Sequence, residues 1–92
     1  MDLDKSINRG LRADSLLKDQ LITEAREHIE AELWRMFKEA TPSDNESLAF
    51  IKGMQYFHAK YFAFFERAVN DGKMAKLNLE NKKKTLKERF LG

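Results

Sequence analysis

Two histidines and fifteen carboxylates, in a chain of 92 residues that has no cysteine, are the groups most suited to reactive or metal chemistry. A helical di-metal centre needs inward carboxylates and a glutamate three residues before each histidine, so that both ligands share one face. Here Ala25 precedes His28 and Gln55 precedes His58 at that spacing, and the pattern is absent. Glu24, His28 and Glu32 form an i, i+4, i+8 row that could touch one cation. The same spacing is that of a solvated helix edge with pairing side chains, which is the plainer reading. His58 falls among aromatic residues and reads as a partly buried core histidine with one hydrogen bond. Ser6, Ser15, Ser43 and Ser47 have no evident base and orienting acid, and there is no phosphate-binding glycine loop. The expectation is a protein that is not an enzyme, with no catalytic residue, no metal and no cofactor.

Basic residues offer a second kind of chemistry. Lys73, Lys76, Lys82, Lys83, Lys84, Lys87 and Arg89 make the last twenty residues cationic, and such lysines can neutralise phosphates without reading bases. Lys52, Tyr56, Lys60 and Arg67 give a smaller basic face. Net charge is only +2, yet residues 1 to 46 carry 7 basic and 11 acidic residues and residues 47 to 92 carry 10 and 4. That asymmetry suits contact between unlike surfaces of two subunits, contact with nucleic acid, or a solvated tail. No DNA-reading helix motif is present. The basic surface expected to meet an acidic protein or nucleic acid is Lys82, Lys83, Lys84, Lys87 and Arg89.

The elements that must position these groups are helical. Ninety-two residues build one core, so residues 1 to 92 read as a single domain. Leu3, Ile7 and Leu11, after a cap at Asp4, predict a short helical segment within 1–18, weakened by Gly10. Asp19 caps a stronger helix over 19–40, with Ile22, Ala25, Ile29, Leu33, Met36 and Ala40 three and four apart. Pro42, the only proline, ends it. Ser43 and Glu46 form a capping-box pattern that starts an aromatic-rich helix over 45–71, and Asp71-Gly72 should close it with glycine in the left-handed conformation. Ala75, Leu79, Leu86 and Phe90 predict a further helix in the basic segment 73–92. The fold expected is all-α: an antiparallel helical hairpin with short terminal helices, a small bundle that oligomerises.

Seven of the ten aromatic residues lie between Phe50 and Phe65. Projected on a helix, Phe64, Phe57, Phe50, Ala68, Tyr61, Met54, Phe65, Ile51, Val69 and Phe62 cover roughly 160°. One antiparallel neighbour hides about 100°. A second subunit, the chain's own ends or an apolar ligand must take the rest, and self-association is the expectation. Trp34 projects away from the apolar face of its own helix, and Gly53 sits at the edge of the arc, where another backbone could approach closely. Trp34, Phe57, Tyr61, Phe64 and Phe65 are the residues expected to pack against a partner.

Met1-Asp2-Leu3-Asp4 has neither the basic start nor the apolar run of a secretory signal, and Asp2 excludes an N-myristoyl glycine. Lys52, Lys60, Glu66 and Arg67 interrupt the most apolar stretch, Leu48 to Val69, so no membrane span is expected.

The segment Gly10-Leu11-Arg12-Ala13-Asp14-Ser15-Leu16-Leu17-Lys18-Asp19-Gln20-Leu21, with Glu24-Ala25 and Ile29-Glu30, resembles small helical proteins encoded among the head and packaging genes of tailed bacteriophages. Asn70-Asp71-Gly72-Lys73-Met74-Ala75 with Leu79-Glu80 resembles the second half of the same pattern, so the likeness spans about residues 10 to 80. Gln20 stands where a proline is common in that pattern, and the aromatic helix is richer than usual. The resemblance implies a non-enzymatic virion-associated or assembly protein, in the virion or host cytoplasm, with itself and other phage structural proteins as partners. Two alternatives are a nucleic-acid-binding accessory protein that uses the basic carboxy-terminal segment and an inhibitor or sponge acting on a host factor.

Overall fold

Three aspartates decide where the helices begin. The computed structural model describes residues 2–91 as α1 (Leu3–Lys18), α2 (Gln20–Glu39) and α3 (Asn45–Leu91), with no strand among them. Met1 and Gly92, the ends of the domain read from the sequence, lie outside the described residues. The all-α expectation holds for the described chain.

Asp2, not Asp4, caps α1: its Oδ1 accepts from the amides of Asp4 at 3.0 Å and Lys5 at 3.3 Å. These are donors that the first turn of a helix cannot satisfy internally. Asp19 serves two helices at once. Its backbone N–H donates to the Leu16 carbonyl and closes α1, while its Oδ1 accepts from the Ile22 amide at 3.1 Å and opens α2. The chain therefore reverses through one extended residue, with φ −61° and ψ 131°.

At the start of α3 the expected capping box between Ser43 and Glu46 is replaced. The helix begins at Asn45 as expected, but its cap is Asp44, whose Oδ1 accepts the Ser47 amide at 3.1 Å, while the Ser43 carbonyl accepts the Asn45 amide. Hydrogen bonding from Ser47 holds the Asp44 carboxyl below its usual range.

With 47 residues, α3 runs the full 70 Å of the molecule and carries the other two helices on its sides. α2 lies along it in the opposite sense, since Arg26 meets Glu66 while Glu30 meets His58. The inner line of α2 is Ile22, Arg26, Leu33, Met36 and Ala40, with Leu33 buried, and it faces Ile51 and Phe62, which are buried on α3. α1 crosses α3 further along, with its Arg9 guanidinium 5.3 Å from the Phe64 ring and its Gly10 on Ala68 and Gly72.

That crossing corrects the reading of Gly72. The helix does not stop at Asp71-Gly72, no glycine among the described residues has positive φ, and α3 continues without a break to Leu91. Residues 73–91, read from the sequence as a separate basic segment, are its continuation. Gly72 is small because a backbone lies against it. A Cβ built on Gly72 would be 2.9 Å from Gly10 Cα and 3.1 Å from the Ser6 carbonyl oxygen, and one built on Gly10 would be 2.9 Å from both Gly72 Cα and the Ala68 oxygen.

Ser6, Gly10 and Ala13 on α1 and Ala68, Gly72 and Ala75 on α3 share the same four-then-three spacing, so two smooth faces meet. Gly10, Ala13, Ala68, Gly72 and Ala75 are all buried there. The close approach expected at Gly53 is not made within the chain, since a Cβ there meets nothing within 4 Å.

In an open helix, Gly72→Ala would stabilise by about 1 kcal/mol through helix propensity. Here the methyl meets backbone atoms that cannot turn aside, and overpacking of this kind costs roughly 1–3 kcal/mol. Gly72→Ala is therefore expected to lower stability in urea or thermal unfolding followed by circular dichroism; a rise would contradict the tight crossing.

Candidate interaction surface

Because α1 and α2 occupy different parts of α3, one face of that helix passes through successive environments. Phe50, Met54, Phe57, Tyr61 and Phe64, spaced alternately four and three, continue in line into Ala68, Gly72, Ala75 and Leu79. α1 covers Ala68, Gly72 and Ala75, and all five of the earlier residues are exposed, Phe57 at 74% and Tyr61 at 60%. Beyond α1 the same line reaches Leu86, 46% exposed, with Phe90 beside its end at 82%.

The arc expected to need more than one neighbour is thus divided. α2 takes the edge with Ile51 and Phe62, α1 takes the far part of the stripe, and the aromatic part stays open.

Between the open stripe and α2 lies an apolar groove of about 760 Å³, walled by Ile22, Ala25 and Ile29 on one side and Met54, Phe57 and Tyr61 on the other. Its rings support one another. Tyr61 stands edge-on to Phe65 at 5.2 Å and to Phe62 at 5.3 Å, and Phe64 stands edge-on to Phe65 at 5.6 Å, geometries favoured by the ring quadrupoles.

Polar groups hold Phe62 and His58, two residues that line the groove. The Arg26 guanidinium lies 4.4 Å from the Phe62 ring centre and donates to Glu66 at 3.2 Å and Glu30 at 3.4 Å. His58 packs edge-on against Phe62 at 4.9 Å, and its Nε2 lies 3.2 Å from Glu30 Oε1. His58 is the partly buried histidine with one hydrogen bond that its place in the sequence suggests; its side chain is 13% exposed.

Of the residues expected to pack on a partner, Phe57, Tyr61, Phe64 and Phe65 come together here, with Phe65 half-buried beneath the other rings. Trp34 does not join them. It stacks on Phe37 at 5.7 Å and borders a different, smaller groove with Glu30, Leu33, Gln55 and His58. Met54, already part of the arc, lines the main groove with Ile22, Ala25 and Ile29, which the sequence marks only as apolar helix positions.

Lys82, Lys83, Lys84, Lys87 and Arg89 are all exposed, and none of the ion pairs among the described residues includes them. In the Glu24, His28, Glu32 row, Arg35 engages the Glu32 carboxylate at 2.7 Å. That hydrogen bond, with the guanidinium charge, holds Glu32 below its usual range. Among the described residues no group of three or more histidine or carboxylate side chains is placed to hold a metal ion, and no helix is long and apolar enough to cross a membrane.

The chain matches no protein-family model, no curated protein and no solved structure.

Arg26 links α2 to α3 through the Phe62 ring and the Glu66 carboxylate and also pairs with Glu30 on its own helix; the charged groups are partly solvated, so their attraction is screened. Arg26→Ala is expected to cost about 1 kcal/mol in chemical unfolding, and a Arg26/Glu66 double-mutant cycle should assign only a fraction of that to the ion pair. No loss on Arg26→Ala would remove the guanidinium from the α2–α3 contact.

Proposed function

We propose that this protein is a non-enzymatic assembly component that works by surface complementarity, associating with itself and with other structural proteins. The observation that carries this reading is the open stripe of α3. Large rings spaced along one helix face, together with the adjoining groove, form a contiguous apolar patch of the kind that marks association sites. Tyrosine and phenylalanine bring large contact area at small cost in side-chain entropy, which suits an anchor. On this reading the α2–α3 pair is a helical hairpin and one half of a small bundle that a second copy completes.

The biological setting is part of the proposal and rests on the sequence resemblance over residues 10 to 80. It is the head or packaging machinery of a tailed bacteriophage, in the virion or the host cytoplasm.

Sedimentation or light scattering between about 1 and 100 µM, a range that spans the affinities of modest interfaces, is expected to give a mass above that of one chain that rises with concentration. Phe57→Ala and Tyr61→Ala should each weaken association by roughly 30-fold, as for an aromatic anchor worth about 2 kcal/mol. A monomeric mass across the range sinks the self-association reading.

A second reading is favoured by the exposed cationic end of α3. Lys82, Lys83, Lys84, Lys87 and Arg89 would track phosphates as a nucleic-acid accessory surface. Duplex binding that is indifferent to sequence, falls steeply with salt and is lost on removal of residues 82–92 supports it. Salt-independent or absent binding rejects it.

A further inference from the structure

The open stripe of α3 is bordered by one position that has no side chain. Gly53 lies three residues after Phe50, one before Met54 and four before Phe57, so a patch of bare backbone borders the rings and the thioether. Gly10 and Gly72 are explained by the contact they make with each other. Gly53 is not, because a Cβ there would meet nothing within 4 Å. A glycine inside a helix weakens it relative to alanine, and nothing inside the chain repays that loss. One turn away stands Phe57, the most exposed residue of the stripe at 74%. A notch and a projecting ring are thus set side by side on one face.

We propose that a second copy of this chain is the occupant, bound through a two-fold, antiparallel pairing of the α3 helices in which each Phe57 ring seats over the partner's Gly53. A two-fold axis makes the arrangement self-complementary, since if Phe57 meets Gly53 in one direction it does so in the other. The inference rests on the self-association reading above and adds its register.

Charge supports the same register. With the axis midway between positions 53 and 57, Lys60 of one copy lies opposite position 50 of the other, one turn from the partner's Glu46. Within a single chain these two residues are fourteen positions apart, about 21 Å along the helix, too far to pair. Glu46 is exposed, belongs to none of the ion pairs among the described residues, and the Lys60 ammonium rests only over the Tyr56 ring at 5.4 Å.

Area supports it as well. Phe50, Phe57, Tyr61 and Phe64 are 59%, 74%, 60% and 58% exposed, which at about 200 Å² per aromatic residue leaves roughly 500 Å² per copy. A pair would remove about 1,000 Å² from these rings, which reaches the size of a specific interface before the neighbouring groove is counted.

Two measurements on each of four full-length variants test the pairing: the dissociation constant by sedimentation equilibrium and the thermal midpoint of the dilute monomer. Gly53→Ala is expected to raise the monomer's midpoint, because the methyl has open space and favours helix, and to weaken association about ten-fold or more by filling the notch. Glu46→Lys and Lys60→Glu should each weaken association, and the double reversal should restore it. Restoration requires the two positions to meet across copies. Association that persists unchanged in Gly53→Ala, or that the double reversal does not restore, overturns this register while leaving self-association through the stripe intact. A wild-type chain that stays monomeric overturns both.

Discussion

The backbone contact between Gly10 and Gly72 is the constraint on which the rest of the molecule depends. With no side chain on either glycine, α1 and α3 approach until a Cβ on either would lie 2.9 Å from the other helix. A crossing this tight works only where the faces around it are smooth, which is why Ser6 and Ala13 flank one glycine and Ala68 and Ala75 the other. It fixes α1 at one place along α3, because any slide would bring Phe64 or Leu79 beneath it. The start of α1 beside Phe64 then sets the edge of the open stripe.

The same constraint keeps the core thin. Small residues allow close approach but remove little apolar surface from water, and the buried hydrophobic residues among those described are Ala13, Leu33, Ile51, Phe62, Ala68 and Ala75, three of them alanines. The larger buried side chains lie along the α2 side, where Leu33 is buried on α2 and Ile51 and Phe62 on α3, and Arg26 bridges the helices over the Phe62 ring. An elongated chain of three helices in this arrangement has no interior large enough for seven clustered rings. Some must face outward, and the sequence groups them on one side.

Much of this was legible because it is local. Asp19 could be read as a cap from its place before a periodic apolar run, and α2 begins and ends within a residue of the expected positions. α3 begins at the expected Asn45, but its cap is one residue from the expected Ser43, because Ser43, Asp44 and Asn45 are all capable caps and the choice depends on how the turn after Pro42 closes. At Gly72 the sequence expectation and the structure part for a deeper reason. Glycine after asparagine and aspartate is the usual signature of a helix end, and the close approach that explains it here involves Gly10, sixty-two positions away. The matching spacing of small residues on α1 and α3 was a signal that local reading does not use. In the candidate surface, the rings were evident from their number and periodicity. That Trp34 belongs to a different groove follows from the register of α2 on α3, set by Arg26, Glu66, His58 and Glu30, which no single helix reveals.

The open rings are difficult to account for as packing alone. At about 25 cal/mol per Å², the roughly 500 Å² they expose corresponds to some 12 kcal/mol of transfer free energy left unrealised in one copy. Two copies double it, against an association cost of about 4–15 kcal/mol for lost rotational and translational freedom. The fold makes little use of these rings, since Arg9 of α1 touches only Phe64 and all four stay more than half exposed, and polar side chains at such positions would serve the helix equally well. Their placement also differs from scattered surface apolarity: the four-and-three spacing that α1 reads through Ala68, Gly72 and Ala75 continues backward through Phe64, Tyr61, Phe57, Met54 and Phe50. A face with the periodicity of a helix–helix contact, ending where the chain's own helix begins, is shaped for another helix, and a second α3 carries both the rings and the Gly53 notch that such a contact needs.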